Sequence, residues 1–196
     1  MKPFEGYKAE RSQSGIDALP AGAYIAKIMG AEVAEYSWGD VLIISFDIAE
    51  GEYKGHFAAK YKADKGSQYG QKWKGTFRLN IPSEKSRYPE SDKRAFGNAM
   101  WAIEHSNRNY TWSWKEETLK GKSVGVLFRN REWEKDGNTG WTTECCTLLA
   151  VDDVRSGNFK PAKDKPLKQT AAVPQASPAE TAAAVADTIS EDDLPF

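Results

Sequence analysis

Cysteine is nearly absent: Cys145 and Cys146 are the only two, and they are adjacent. Neighbouring positions on a strand point to opposite faces, so the pair is poorly placed to form a disulfide or share a metal, and a reducing compartment is expected. Histidine is as scarce. His56 and His105 lie far apart with no Cys or His at ligand spacing, so no metal site is expected. No stretch approaches about 18 consecutive apolar residues, which argues against a membrane span. The opening MKPFEGYKAERSQ lacks the apolar core of a secretory signal, and the expected location is the cytoplasm. Catalytic signatures are missing too. LKGKS (119–123) holds the Gly-Lys-Ser of a phosphate loop, but Glu116 stands where its first glycine belongs, and a strand rather than a helix is expected to follow. No nucleophile elbow or Ser-His-Asp pattern occurs. Asp152 and Asp153 are expected in a solvated turn rather than as a nuclease pair. The chain is therefore expected to be non-catalytic, with no cofactor.

Bases are missing from one region only. Residues 169–196 contain no Lys or Arg but five acids, Glu180, Asp187, Glu191, Asp192 and Asp193. The formal net charge of −1 hides this split, because all 27 bases face 23 acids in the first 168 residues. Between Phe159 and Phe196 there is no aromatic residue, and Pro, Ala, Ser and Thr dominate. Such a segment cannot bury enough apolar surface to offset its ordering entropy. The expected organisation is one domain over 1–158, a disordered linker over 159–189 and an acidic tip over 190–196.

What the domain has in excess is aromatic side chains: 7 Trp, 8 Tyr and 8 Phe. Its periodicity is mostly two. GAYIAKIMGAEVAEY (22–36) and VLIISFDI (41–48) predict strands joined by a turn at Ser37-Trp-Gly-Asp40. EYKGHFAAKYK (52–62) predicts a third, with Tyr53, Phe57 and Tyr61 on one face and Lys54, His56, Lys60 and Lys62 on the other. A short strand follows at TFRLNI (76–81). Phe96, Ala99, Met100 and Ile103 recur at helical spacing behind Pro89, with Ser91 as the expected cap. SVGVLFRNREW (123–133) and WTTECCTLLAV (141–151), joined by EKDGNTG, predict a closing hairpin. Three or four strands, a helix, then a hairpin is the order of an OB-fold. The expected fold is mainly β: a Greek-key barrel of five to six strands with one α-helix and a disordered tail.

Residues 60–87 interleave eight bases with Tyr61, Tyr69, Trp73 and Phe77 and contain only two acids, Asp64 and Glu84. Single-stranded nucleic acid calls for this mixture, since cations neutralise phosphates while flat rings stack on bases. A solvated Lys-rich loop anchored by its aromatics would explain the same residues. The candidate contacts are Lys54, Lys60, Lys62, Lys65, Lys72, Lys74 and Arg78 for phosphates, with Trp38, Tyr61, Tyr69 and Trp73 for stacking. Trp133 and Trp141 flank the last hairpin, where they either engage ligand or pack across a barrel end.

The sequence closes on SEDDLPF (190–196). A solubilising tail accounts for the acids but not for the apolar Leu-Pro-Phe. A docking peptide accounts for both: Pro195 restricts the backbone, Phe196 offers a ring to a small pocket, and its carboxylate joins Asp192 and Asp193 against a basic rim. At Asp192, Asp193, Leu194, Pro195 and Phe196 the segment resembles the acidic tip of bacterial single-stranded DNA-binding proteins. GAYIAKIMGAEV, EGEYKGHF, LKGKSVGVLF and VDDVRSGNFKP, across about residues 15–160, resemble the phage-encoded single-strand-binding proteins of Gram-positive hosts. Together these resemblances imply an OB-fold that coats single-stranded DNA during phage DNA replication or recombination in the host cytoplasm. They also imply a tip that recruits replication and recombination enzymes. Assembly with further copies of the chain stays open. Two other functions fit the composition: a protein-interaction adaptor using the aromatic face, and a carbohydrate-binding barrel.

Overall fold

A computed structural model of the chain describes residues 18–65 and 71–167. Its strands are β1 (Gly22–Tyr36), β2 (Gly39–Ile48), β3 (Thr76–Asn80), β4 (Ser123–Lys135) and β5 (Asn138–Leu149). Its helices are α1 (His56–Ala63), α2 (Pro89–Ser106) and α3 (Val151–Ser156), with a short 3-10 turn at Glu116–Leu119. The strands form one antiparallel open sheet in the order β3-β2-β1-β4-β5. Period-two alternation sends one set of side chains into the core, while β2 over Val41–Ile44 and β4 over Val124–Phe128 are buried on both faces. Leu42, Ile44, Phe46 and Ile48 on β2 join Phe77 and Leu79 on β3 and Val124, Val126 and Phe128 on β4 in a single core.

β1 is the hinge of the sheet. Its residues 22–27 pair with β4, and its residues 26–36 pair with β2, with a register shift between Ile28 and Gly30 that leaves Met29 unpaired. A bulge there adds local twist and bends the strand, so the two halves of the sheet turn toward each other. β3 and β5 are left as the edges. The β4–β5 turn is made by Asp136 and Gly137, both at positive φ (52° and 76°), the two-residue geometry whose twist matches the flanking strands.

The predicted stripe on α2 closes the core, with Phe96, Ala99, Met100 and Ile103 all buried. Its start differs from expectation. Pro89 is the first helical residue and Tyr88 the cap, so Ser91 lies inside the first turn. Proline is tolerated there because its missing N–H would have had no partner.

The largest correction concerns 52–62, which is a tight turn followed by α1 rather than a third strand. Gly51 and Gly55 take positive φ (83° and 73°), which breaks the extended run. The buried carboxylate of Asp47 then accepts hydrogen bonds from the backbone N–H groups of Phe57 and Ala58 at 2.9 and 3.1 Å. A side chain from β2 thus caps α1 from outside, meeting donors that no residue before His56 satisfies. Among the described residues there are three helices instead of one, and Asp152 and Asp153 sit in the first turn of α3, not in a loop.

Residues 164–167, assigned to the linker, are laid along β4. The Lys165 N–H donates to the Asn130 carbonyl at 2.8 Å, and the Glu132 N–H donates to the Lys165 carbonyl at 2.9 Å. β4 outruns β1 beyond Phe128, so its free edge accepts this short parallel bridge. Tyr69 and the tip residues Asp192, Asp193, Leu194, Pro195 and Phe196 lie outside the described residues.

Candidate nucleic-acid interface

The edges of β3 and β5 do not pair, and a cleft of about 430 Å³ lies where they approach. Lys74 and Arg78 line it from the β3 side, Arg129 and Arg131 from β4, and Thr143 and Glu144 from β5. Arg129 and Glu144 are directly opposite in the β4–β5 ladder, and Arg131 is diagonal to Glu144, so strand pleating alone puts all three on one face. Arg129 donates to Glu144 Oε1 through Nε at 3.0 Å and through Nη2 at 2.7 Å. Arg131 reaches the second oxygen at 3.5 Å, and Lys165 Nζ reaches Oε1 at 3.4 Å. One carboxylate therefore faces three cations, and Lys74 and Arg78 add two more. Burial alone would raise the Glu144 pKa, but hydrogen bonds from Arg129 and Lys165 and their charges outweigh it and hold the group below the ordinary 4.5. The cleft keeps an excess of positive charge.

A second cleft of about 460 Å³ continues from the first, sharing Lys74 and Thr143 and adding His56, Lys60 and Asp64. His56 is buried, and its pKa is lowered by desolvation and then by Lys60, against a weaker opposite effect of Asp47. Joined, the clefts make a groove running from α1 across the β3/β5 seam, with Lys60, Lys74, Arg78, Arg129 and Arg131 along it.

The sequence-predicted residues divide. Lys60, Lys74 and Arg78 line the groove. Lys54 precedes α1, and Lys62 sits two residues beyond Lys60 on a helix, about 200° around its axis, so the single basic face expected of a strand does not form. Lys65 and Lys72 are exposed and line neither cleft. Trp73 serves packing. Its indole N–H donates to the carbonyls of Phe46 and Gly75 at 3.1 and 3.0 Å, and its ring packs against the core. Tyr61 leans on it at 5.9 Å between ring centres and keeps about a third of its surface exposed (37%). Gly75 is required here, since a side chain would meet the Phe46 carbonyl and the Phe57 ring.

Trp38 occupies the tip of the β1–β2 turn, 54% exposed, stacked on Tyr36 at 5.0 Å with 13° between planes. The Arg78 guanidinium donates to the Tyr36 hydroxyl at 3.2 Å, which ties this aromatic pair to the groove. Trp133 lies over Gly140 near the docked 166–167 segment, while Trp141 projects from β5.

A search of protein-family models finds none that matches the chain, and a search of curated proteins finds no match either.

What it can do must be read from the site. Arg129, Arg131, Glu144 and Lys165 were not among the predicted contacts. Their signal was available: RNR at 129–131 places two guanidinium groups at i and i+2, on one face of any strand. Among the described residues no cluster of three or more His, Cys, Asp or Glu side chains is arranged to hold a metal ion. No helix among them is long and apolar enough to cross a membrane. Both cysteines are free. Cys146 is the unpaired residue of a bulge opposite Leu127 and Phe128, and burial pushes both thiols up in pKa, away from reactivity.

Proposed function

We propose that the chain is a non-catalytic, sequence-tolerant single-stranded DNA-binding protein. The sheet would act as an OB barrel opened along the β3/β5 seam, and the segment 190–196 would recruit a replication or recombination partner. The observation that carries this is the groove itself, in which five cations are set against two acids beside an exposed stacked indole. Cations spaced along a groove neutralise successive phosphates, and an indole with a free face supplies the base-independent stacking worth about 1–3 kcal/mol per base. In a duplex the bases are paired and stacked on one another, so their faces are not free to stack on Trp38. The phage setting, the host cytoplasm and the role of the tip rest on the resemblance of SEDDLPF and of the domain's motifs.

The deciding experiment is a titration of intrinsic tryptophan fluorescence. Oligo-dT should quench it, while duplex DNA and oligosaccharides should not. The logarithm of the association constant should fall with log salt at a slope of about −3 if four phosphates are held. Binding indifferent to salt, or equal for duplex, would remove the proposal. A second function has one observation in its favour: Trp114 is 70% exposed, stacked on Phe96 of α2 and lines neither groove cleft, as an interaction adaptor would use it. Absence of any oligo-dT quenching would favour that alternative.

A further inference from the structure

A third cavity, of about 310 Å³, lies between the β1–β2 turn and the start of α2. Trp38, Ile81 and Tyr88 provide flat or apolar wall, and Tyr88 is 62% exposed. The polar groups in it are of both kinds, with acceptors on Asp40, Asn80 and Asp92 and cationic donors on Lys85 and Arg87. Asn80 Nδ2 donates to Asp92 Oδ1 at 3.1 Å, which leaves the Asn80 carbonyl oxygen and the second Asp92 oxygen without a protein donor among the described residues. Asp40 lines the same cavity, and Lys85 and Arg87 stand at it as well. The cavity adjoins the groove through one aromatic pair: Arg78 holds Tyr36, Tyr36 stacks on Trp38, and Trp38 is the cavity wall.

A ligand that suits this cavity is planar, apolar on its faces and rich in N–H at its edge. It is also attached to an anion that Lys85, Arg87 or Arg78 can meet. A nucleobase in a single strand has all of these properties. Resting on the single-strand reading of the groove, we infer that this cavity is a nucleobase slot, and that its Asn80–Asp92 acceptor pair favours amino-bearing bases over thymine. Cytosine, adenine and guanine each present an exocyclic amino group to such acceptors. Thymine presents a single N–H between two carbonyl oxygens, so it can meet only one of the two acceptors and sets a carbonyl oxygen against the other. Tolerance of sequence along the groove then coexists with selectivity at one position.

The test uses the full chain and short dT oligonucleotides carrying a single central dC, dA or dG. The substituted oligonucleotides should bind about tenfold tighter than all-dT. In Asp92→Asn the difference should vanish or invert while all-dT affinity holds or rises, because a carboxylate is lost and a donor gained. Trp38→Ala should weaken every oligonucleotide, all-dT included, and abolish the preference for the substituted ones, and it supplies a second arm should Asp92→Asn fail to fold, judged by circular dichroism. Equal binding of all oligonucleotides by the wild type, or a preference that survives both substitutions, overturns the slot and leaves the groove standing. No binding of any single strand overturns both.

Discussion

Trp38 and Trp73 are the same residue type in opposite settings, one exposed at a turn and one packed against the core. Trp73 spends its N–H on two carbonyls and its ring on the core, so Trp73→Phe should keep most of the packing and cost about 1 kcal/mol for the lost hydrogen bonds. Thermal unfolding should register that loss while oligo-dT affinity stays unchanged. Trp38→Ala should do the reverse, leaving stability within about 0.5 kcal/mol and weakening single-strand binding by about 1–3 kcal/mol. His56 gives a pH signature. Its folded pKa lies below the ordinary 6.5, so the unfolded chain binds the proton first as pH falls. The contribution of the neutral ring is fully present above 6.5 and is lost as pH drops from there toward the folded value. The melting temperature should decline across that window, and His56→Gln should flatten the decline.

Between elements, Glu144 decides how much positive charge the groove exposes. Half-exposed partners limit its worth to stability to about 1 kcal/mol, lost as pH falls below the ordinary 4.5, because its folded pKa is depressed. Its effect on binding is larger, since an incoming phosphate must compete with a carboxylate already held by Arg129. Glu144→Gln should therefore tighten oligo-dT binding and steepen the salt slope, measurable in one fluorescence series. Legibility in the sequence also varied from element to element. The strand at 22–36, the β4–β5 turn and the buried stripe of α2 were plain, because burial of one face imposes a period that the residues must obey. The segment 52–62 was not. Tyr53, Phe57 and Tyr61 are spaced by four, which is both two strand periods and close to one helical turn, so periodicity could not choose. Asp47, ten residues before Phe57, made the choice through its cap.

For the whole molecule, charge is distributed in opposition: a basic groove in the body and acids gathered in 169–196. Lys165 lies with its backbone on β4 and its ammonium group on Glu144, so the last described residues reach the groove's edge. Deleting Glu191 to Phe196 should tighten DNA binding at low salt, where unscreened acids compete best, and abolish partner recruitment. Gel-shift titration at two salt concentrations together with a partner pull-down checks both halves, and no change in either would remove the role assigned to 190–196.

Local pattern was enough to find the closing hairpin within 134–140 and the buried stripe of α2, though the strands run two to three residues further into that turn than the sequence suggested. These depend on near neighbours, and near neighbours are written in order. The groove depended on contacts between distant residues. Arg78 and Arg131 share a cleft because β1 bends at its bulge and carries β3 and β5 toward each other, and a one-residue irregularity at Met29 has no signature in a run of alternating side chains. Lys62 left the expected face for the same reason that Arg129 gained one: the geometry of a surface is set by which elements pack, and packing is a property of the assembled chain.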